Sequence, residues 1–310
     1  MDLFSIILTI VGLCLFETIS SIDNAIINAE VLSTMSQKAR RWFLLWGILI
    51  AVFLVRGLLP WLIIWGTTPQ LGFVGSFTAT FSSDPLVLQA VETSAPILLA
   101  GGGIFLLFLF LHWLFLEAKE FGLHHEKFFH RHGVWFYASV SILLAFIVWE
   151  AIKVNPLMAF GAVVGSTAFF ITHGFKQNAE QAEERMLHND NPLSDISKIL
   201  YLEVIDMTFS IDGVLGAFAF TLSVPLILAG NGLGAVVVRK LTVGNIKNIK
   251  KYKYLKNGAM YSILILGIVM ILDAFHHEVP QWFSPVATIV VVGFFFWKSK
   301  RAIALESQRA

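Results

Sequence analysis

Nine apolar segments, each close to the length needed to cross a bilayer, recur along the 310-residue chain. A spanning helix needs roughly 20 apolar residues. We predict an all-α, polytopic transmembrane bundle with spans at residues 3–31, 42–66, 94–116, 134–152, 156–174, 197–222, 225–239, 258–276 and 282–298. The composition agrees, because 56% of the residues are hydrophobic and 14% are charged, against about 25% charged in soluble domains.

Basic residues alternate between the loops that connect these spans. The loops after the first, third, fifth and seventh spans carry several Lys or Arg residues, and the loops between them carry one or none. Loops rich in Lys and Arg stay in the cytoplasm. The pattern therefore predicts an outside N-terminus and a cytoplasmic C-terminus.

Five carboxylates lie in two of the predicted spans, in similar stretches: Glu17 and Asp23 in LFETISSIDNAII (15–27), and Glu203, Asp206 and Asp212 in YLEVIDMTFSIDGVL (201–215). Aligned without gaps, Glu17 falls on Asp206 and the tripeptide SID recurs. The two spans are five crossings apart, so they enter the membrane from opposite faces, which is typical of inverted repeats in transporters.

This relationship predicts the organisation of the chain. We expect one membrane domain over residues 1–310, with a first repeat at about 1–118, an inserted helix pair at about 134–175 and a second repeat at about 197–298.

Helical spacing places polar side chains in one stripe on each acidic span. At 100° per residue, Ser20, Ser21, Asn24 and Asn28 lie within about 60° of Glu17. In the sixth span, a matching stripe contains Glu203, Asp206 and Ser210. Asp23 and Asp212 lie off these stripes, so each either needs a local unwinding of its helix or faces a neighbouring span.

An acidic residue at the centre of a membrane helix costs about 2.5–3.5 kcal/mol on insertion scales. Protonation, a basic partner or a bound cation can offset this cost. Arg56 is the best basic candidate within a span, as a counter-ion or as a packing residue, and one arginine cannot balance five acids. Protons and metal ions are the remaining compensations.

The ligand types favour a hard divalent cation. Carboxylate, amide and hydroxyl oxygens suit Mn²⁺, Ca²⁺ or Mg²⁺, and neither stripe contains Cys or His. The candidate site residues are the five carboxylates, with Ser20, Ser21, Asn28, Arg56, Glu92 and Ser210 as auxiliary candidates. The plainer alternative is that the Ser and Asn side chains only join helices.

These motifs resemble those of the TerC family of membrane proteins, and within it the branch called DUF475. The likeness lies in Glu17 six residues before Asp23–Asn24, in the E-x-x-D-x-x-F-S-x-D-G pattern that starts at Glu203, and in a glycine-bearing segment at 97–108. The resemblance implies cation handling, since several family members are regarded as manganese exporters. By position it also implies that the metal and proton residues are Glu17, Asp23, Asn24, Glu203, Asp206 and Asp212. This chain has Gly213 where the family often has Ser.

The resulting hypothesis is a bacterial inner-membrane exporter of Mn²⁺ or a related divalent ion. It works by alternating access and exchanges protons at the same acids. Its expected partners are a divalent metal ion, protons and the lipid bilayer, with no nucleic acid and no enzymatic activity. The oligomeric state stays open, a homo-oligomer included. The alternatives are an organic-solute transporter, a membrane metalloenzyme, and an accessory protein for metalation or tellurite resistance.

Overall fold

The computed structural model describes residues 2–47, 50, 56–79, 85–119, 122–188, 194–244 and 251–307. Within these ranges the protein is all-helical. The α-helices are α1 (Leu3–Ser20), α2 (Ile22–Ser33), α3 (Gln37–Trp42), α4 (Arg56–Thr67), α5 (Gly72–Ala79), α6 (Pro85–Leu116), α7 (His124–Arg131), α8 (Phe136–Val154), α9 (Pro156–His188), α10 (Asp195–Ala217), α11 (Val224–Gly244), α12 (Leu255–Ala274) and α13 (Phe283–Ser307). A π-helical turn, Phe43–Gly47, follows α3.

Helix α6 lies at the centre of the bundle. It packs along α9 on one side and along α12 on the other. Ile104, Phe105 and Phe108 are almost completely buried in the main hydrophobic core. The predicted third span began at residue 94, whereas α6 begins at Pro85 and continues through Pro96.

Glycines set the close approach of α6 and α9. A Cβ atom on Gly101 would lie 2.8 Å from the carbonyl oxygen of Gly161, and one on Gly161 would lie 2.5 Å from that of Ile97. Gly165 faces the backbone of Gly101 in the same way. Of the three consecutive glycines at 101–103, only Gly101 faces α9, whereas Gly102 and Gly103 face Met270 and Ile271 on α12.

Five helical segments are long and apolar enough to cross a membrane: Leu3–Ser20, Glu92–Leu116, Gly133–Val154, Pro156–Asn178 and Leu255–Ala274. They correspond to five of the nine predicted spans. On α8, the exposed side chains Ile142, Phe146 and Trp149 form one apolar face, as expected for a helix that contacts lipid.

The other four predicted spans differ from this set. Residues 42–66 are only partly among the described residues. The sixth predicted span corresponds to α10, which carries five charged side chains. The seventh corresponds to α11, whose apolar part is the shorter segment Val224–Val238. The ninth corresponds to α13.

Helices α1 and α2 together run antiparallel to α10. Near the start of α10, Asp195 accepts a hydrogen bond from the Ser36 hydroxyl at 2.5 Å. One turn further along, Lys198 Nζ donates to Thr34 Oγ1 at 2.9 Å. Residue numbers thus fall along α1–α2 as they rise along α10, and the two acidic motifs lie side by side in opposite directions.

The close packing of α6 on α9 generates a stability prediction. Gly161→Ala places a methyl group against the backbone of α6, which cannot move aside as a side chain would, so we expect a loss of about 1–3 kcal/mol in unfolding free energy. Gly174→Ala on the same helix is the matched control, because nothing lies within 4 Å of its Cβ position. Thermal unfolding in detergent compares the two, and equal melting temperatures would contradict the packing.

Candidate cation site and its access cavity

Glu17 is enclosed between α1, α10 and α11. Its side chain is 1% exposed, and its Oε1 accepts a hydrogen bond from Ser21 Oγ at 2.6 Å. Ser20 Oγ donates to the Glu17 carbonyl oxygen at 3.3 Å. A Cβ atom on Gly213 would lie 2.9 Å from Oε2, and one on Gly234 would lie 2.7 Å from Glu17 Cγ. The absence of side chains at these glycines therefore lets α10 and α11 approach the carboxylate.

Asp206 joins the second acidic motif to the first. Its Oδ1 accepts a hydrogen bond from Asn28 Nδ2 at 2.9 Å, and both side chains are buried. Ser210 Oγ donates to the Asp206 carbonyl oxygen at 2.6 Å. The Oδ1 atom of Asn28 is buried and has no hydrogen-bond partner among the described residues, so an amide oxygen is available beside a carboxylate.

Glu203 lies one turn before Asp206, against the π-helical turn. Its Oε1 occupies the space where a Cβ atom on Gly47 would lie. Glu203 is buried, and within the described part of the chain neither carboxylate oxygen has a hydrogen-bond partner. Burying a carboxylate without partners is costly, and a cation or a proton at this group would offset that cost.

Asp212 faces a different neighbour. Helix α10 continues past it without unwinding, and its Oδ2 pairs with Lys176 Nζ on α9. Asp212 lies outside the polar stripe of α10 because it contacts a neighbouring span, which was one of the two predicted alternatives. The sequence interpretation, which considered Arg56 as the basic candidate, missed Lys176 as a partner of the acids.

The pair Lys176–Asp212 lies on the wall of a cavity of about 690 Å³. The cavity runs between α1, α6, α9, α10 and α12 and is also lined by Ser20, His112, His173, Glu117 and Lys256. Two residues on the cavity wall adjoin Glu17. Ser20 donates a hydrogen bond to its carbonyl oxygen, and Asp212 precedes Gly213, which lies against its carboxylate. The cavity therefore reaches the immediate neighbours of the Glu17 carboxylate.

Exposure decreases from one end of the cavity to the other. Lys256 and Glu117 form an ion pair whose side chains are 37% and 36% exposed. The Lys176 and Asp212 side chains are each 13% exposed. Near the more exposed pair, burial lowers the pKa of Lys119 to about 8. The exposed end lies at two of the loops that carry several basic residues.

Two histidines on the cavity wall were not predicted as site residues. The rings of His112 and His173 have centroids 3.8 Å apart, and Gln177 Nε2 lies 3.2 Å from His173 Nε2. The sequence did carry a signal, since His173, Lys176 and Gln177 share one face at helical spacing at the end of an apolar run.

Several predicted site residues are not placed with the others. The side chains of Asp23, Asn24 and Arg56 lie outside the described part of the structure. Helix α1 ends at Ser20, and Ser21 (φ −89°, ψ 2°) separates it from α2 just before Asp23. Glu92 is exposed on α6. Among the described residues, no three His, Cys, Asp or Glu side chains are close enough to hold one metal ion.

The DUF475 family model, described as "Protein of unknown function (DUF475)", matches residues 22–304. The chain belongs to the DUF475 family. A relative from Bacillus subtilis (strain 168), "Uncharacterized membrane protein YceF", is 32% identical over 97 residues, which are 31% of this chain and 37% of that protein. The chain thus aligns with well under two thirds of this relative. No solved structure matches.

The matched region of this DUF475 protein contains α2, α10 and the cavity. Asn28, Glu203, Asp206 and Asp212 lie within residues 22–304, whereas Glu17 and the rest of α1 precede them. The membrane character of the relative agrees with the apolar helices of this chain.

The two glycines around Glu17 differ in what a methyl group would meet. On Gly213 it meets the flexible end of Glu17, and on Gly234 it also meets the Cys14 carbonyl oxygen, at 2.8 Å. We expect Gly234→Ala to cost about 1–3 kcal/mol through overpacking and Gly213→Ala to cost less, because a carboxylate can rotate away. Thermal unfolding of both variants tests this order, and an equal or reversed order would contradict it.

Proposed function

We propose that this DUF475 protein is a divalent cation transporter, with Mn²⁺ as its substrate and export as its direction. One observation carries the proposal: two antiparallel segments with buried carboxylates meet beside a cavity that is lined by Asp212 and Ser20. Intramembrane acids are costly and are functional by default. Oxygen donors lie along this contact, namely the carboxylates of Glu17, Glu203 and Asp206 and the amide of Asn28. Such groups suit hard cations, and we propose that they bind the ion at successive points of its path.

The antiparallel contact also supports the proposed topology. In an inverted repeat, related helices from the two halves cross the membrane in opposite directions and place the substrate between them. We propose nine spans in the bacterial inner membrane, with the N-terminus outside and the C-terminus in the cytoplasm. The cavity, open toward the basic loops, then corresponds to an inward-facing state of an alternating-access cycle.

Export of a divalent ion requires a driving force. Moving each positive charge outward costs about 2.3 kcal/mol per 100 mV of membrane potential. The sequence has no nucleotide-binding loop, so we propose that protons return through the same carboxylates and drive the exchange. Protonation would also neutralise Glu203 when no metal is bound.

Manganese and export rest on the resemblance to the TerC family, while hard-cation chemistry rests on the residues. The proposal includes no enzymatic activity, because neither acidic motif contains a His that could act as a base. An accessory protein that binds metal without moving it would use the same acids, and flux distinguishes it from a transporter.

Metal flux into proteoliposomes tests the proposal. We expect saturable Mn²⁺ flux, reduced by about tenfold or more in Glu17→Gln and Asp212→Asn, as when groups that support a metal site are removed. Glu150→Gln is the matched control, because Glu150 is an exposed acid on α8 that pairs with Lys153. Ca²⁺, Mg²⁺ and Zn²⁺ are compared in the same assay.

Size-exclusion chromatography shows whether each variant stays folded. Normal flux in both acid variants would reject these residues as the cation pathway. Binding of Mn²⁺ by the wild type without any flux would favour the accessory protein.

A further inference from the structure

The side chain that pairs with Asp212 comes from outside the two acidic motifs. Lys176 lies on α9, in the helix pair that separates the two proposed repeats, and its Nζ contacts Asp212 Oδ2. Both side chains are 13% exposed. The second carboxylate oxygen, Oδ1, is buried without a hydrogen-bond partner among the described residues. Asp212 thus has one oxygen held by an ammonium group and one oxygen without such a partner.

We propose that Lys176 is a tethered counter-cation that occupies Asp212 while the metal site is empty and leaves it when a divalent cation binds. This inference rests on the proposed function, because it takes Asp212 as a ligand of the transported ion. It adds a role for a residue that neither acidic motif contains, and it assigns the inserted helix pair a part in cation binding.

Electrostatics make the two occupants mutually exclusive. An ammonium group at hydrogen-bond distance from a carboxylate occupies the position where a cation would sit. A divalent ion at Asp212 would repel the Lys176 charge strongly, because both would lie in a partly buried region where the effective dielectric constant is low. The divalent ion carries twice the charge, so it attracts the carboxylate more strongly.

The cavity provides room for the displaced side chain. Lys176 and Asp212 both line the space of about 690 Å³, which compares with roughly 30 Å³ for one water molecule in the liquid. A lysine has a flexible four-carbon stem, so its ammonium group can move into this space while its backbone stays in α9. Asp212 would then keep a positive partner in both the empty and the loaded states.

Binding measurements on purified wild type, Lys176→Met and Asp212→Asn test the competition. Removing the competing charge should lower the Kd for Mn²⁺ by about tenfold, since a nearby like charge disfavours a bound cation. Asp212→Asn should weaken binding. Lys153→Met is the matched control, because Lys153 pairs with Glu150 on an exposed surface, and its Kd should equal that of the wild type.

Amine labelling of the wild-type protein provides a second, independent readout. With an acylating reagent and mass spectrometry, the modification of Lys176 should increase when Mn²⁺ is added, while that of Lys153 should not change. A purely structural ion pair would leave the labelling of Lys176 unaffected by the metal. If Lys176→Met does not fold, the labelling result decides by itself.

The outcomes separate this inference from the function on which it rests. An unchanged Kd in Lys176→Met, or labelling insensitive to Mn²⁺, would overturn the inference, and weaker binding by Asp212→Asn would then leave the proposed function standing. A wild type that neither binds nor moves Mn²⁺ would overturn both.

Discussion

The contact between α1–α2 and α10 is the constraint on which the candidate site depends. Carboxylates in an apolar bundle are tolerated only where other groups compensate for lost hydration. Here Ser21 donates a hydrogen bond to Glu17 from the same segment, and Asn28 donates one to Asp206 from the antiparallel segment. Close approach at Gly213 makes this geometry attainable, and the surrounding helices are arranged around it.

The central helix α6 connects this contact to the rest of the bundle. Gly101 on α6 and Gly161 and Gly165 on α9 let these two helices approach closely, and α9 brings Lys176 to Asp212. The close packing of α6 and α9 in the core thereby places a positive charge beside Asp212 on α10. The cavity between α6, α9 and α12 lies beside that acid, and Asp212 forms part of its wall.

Much of the site was predictable because its signals are local in sequence. The apolar runs predict membrane helices, since lipid offers backbone groups no partners, and five of the segments have the expected length and hydropathy. Helical periodicity placed Glu17 with Ser21, and Asp206 with Ser210, on common faces. The nine-span count and the inverted repeat remain proposals that follow from loop charge and motif similarity.

The sequence by itself determined the helical, membrane-embedded character of this DUF475 protein and the presence of costly acids in two motifs, because composition and periodicity act within single helices. Only the tertiary structure decided which groups meet: Lys176 with Asp212, Asn28 with Asp206, and Glu203 with the π-helical turn. These partners are far apart in the chain. Their contact depends on the packing of whole helices, for which a single sequence carries no local signal.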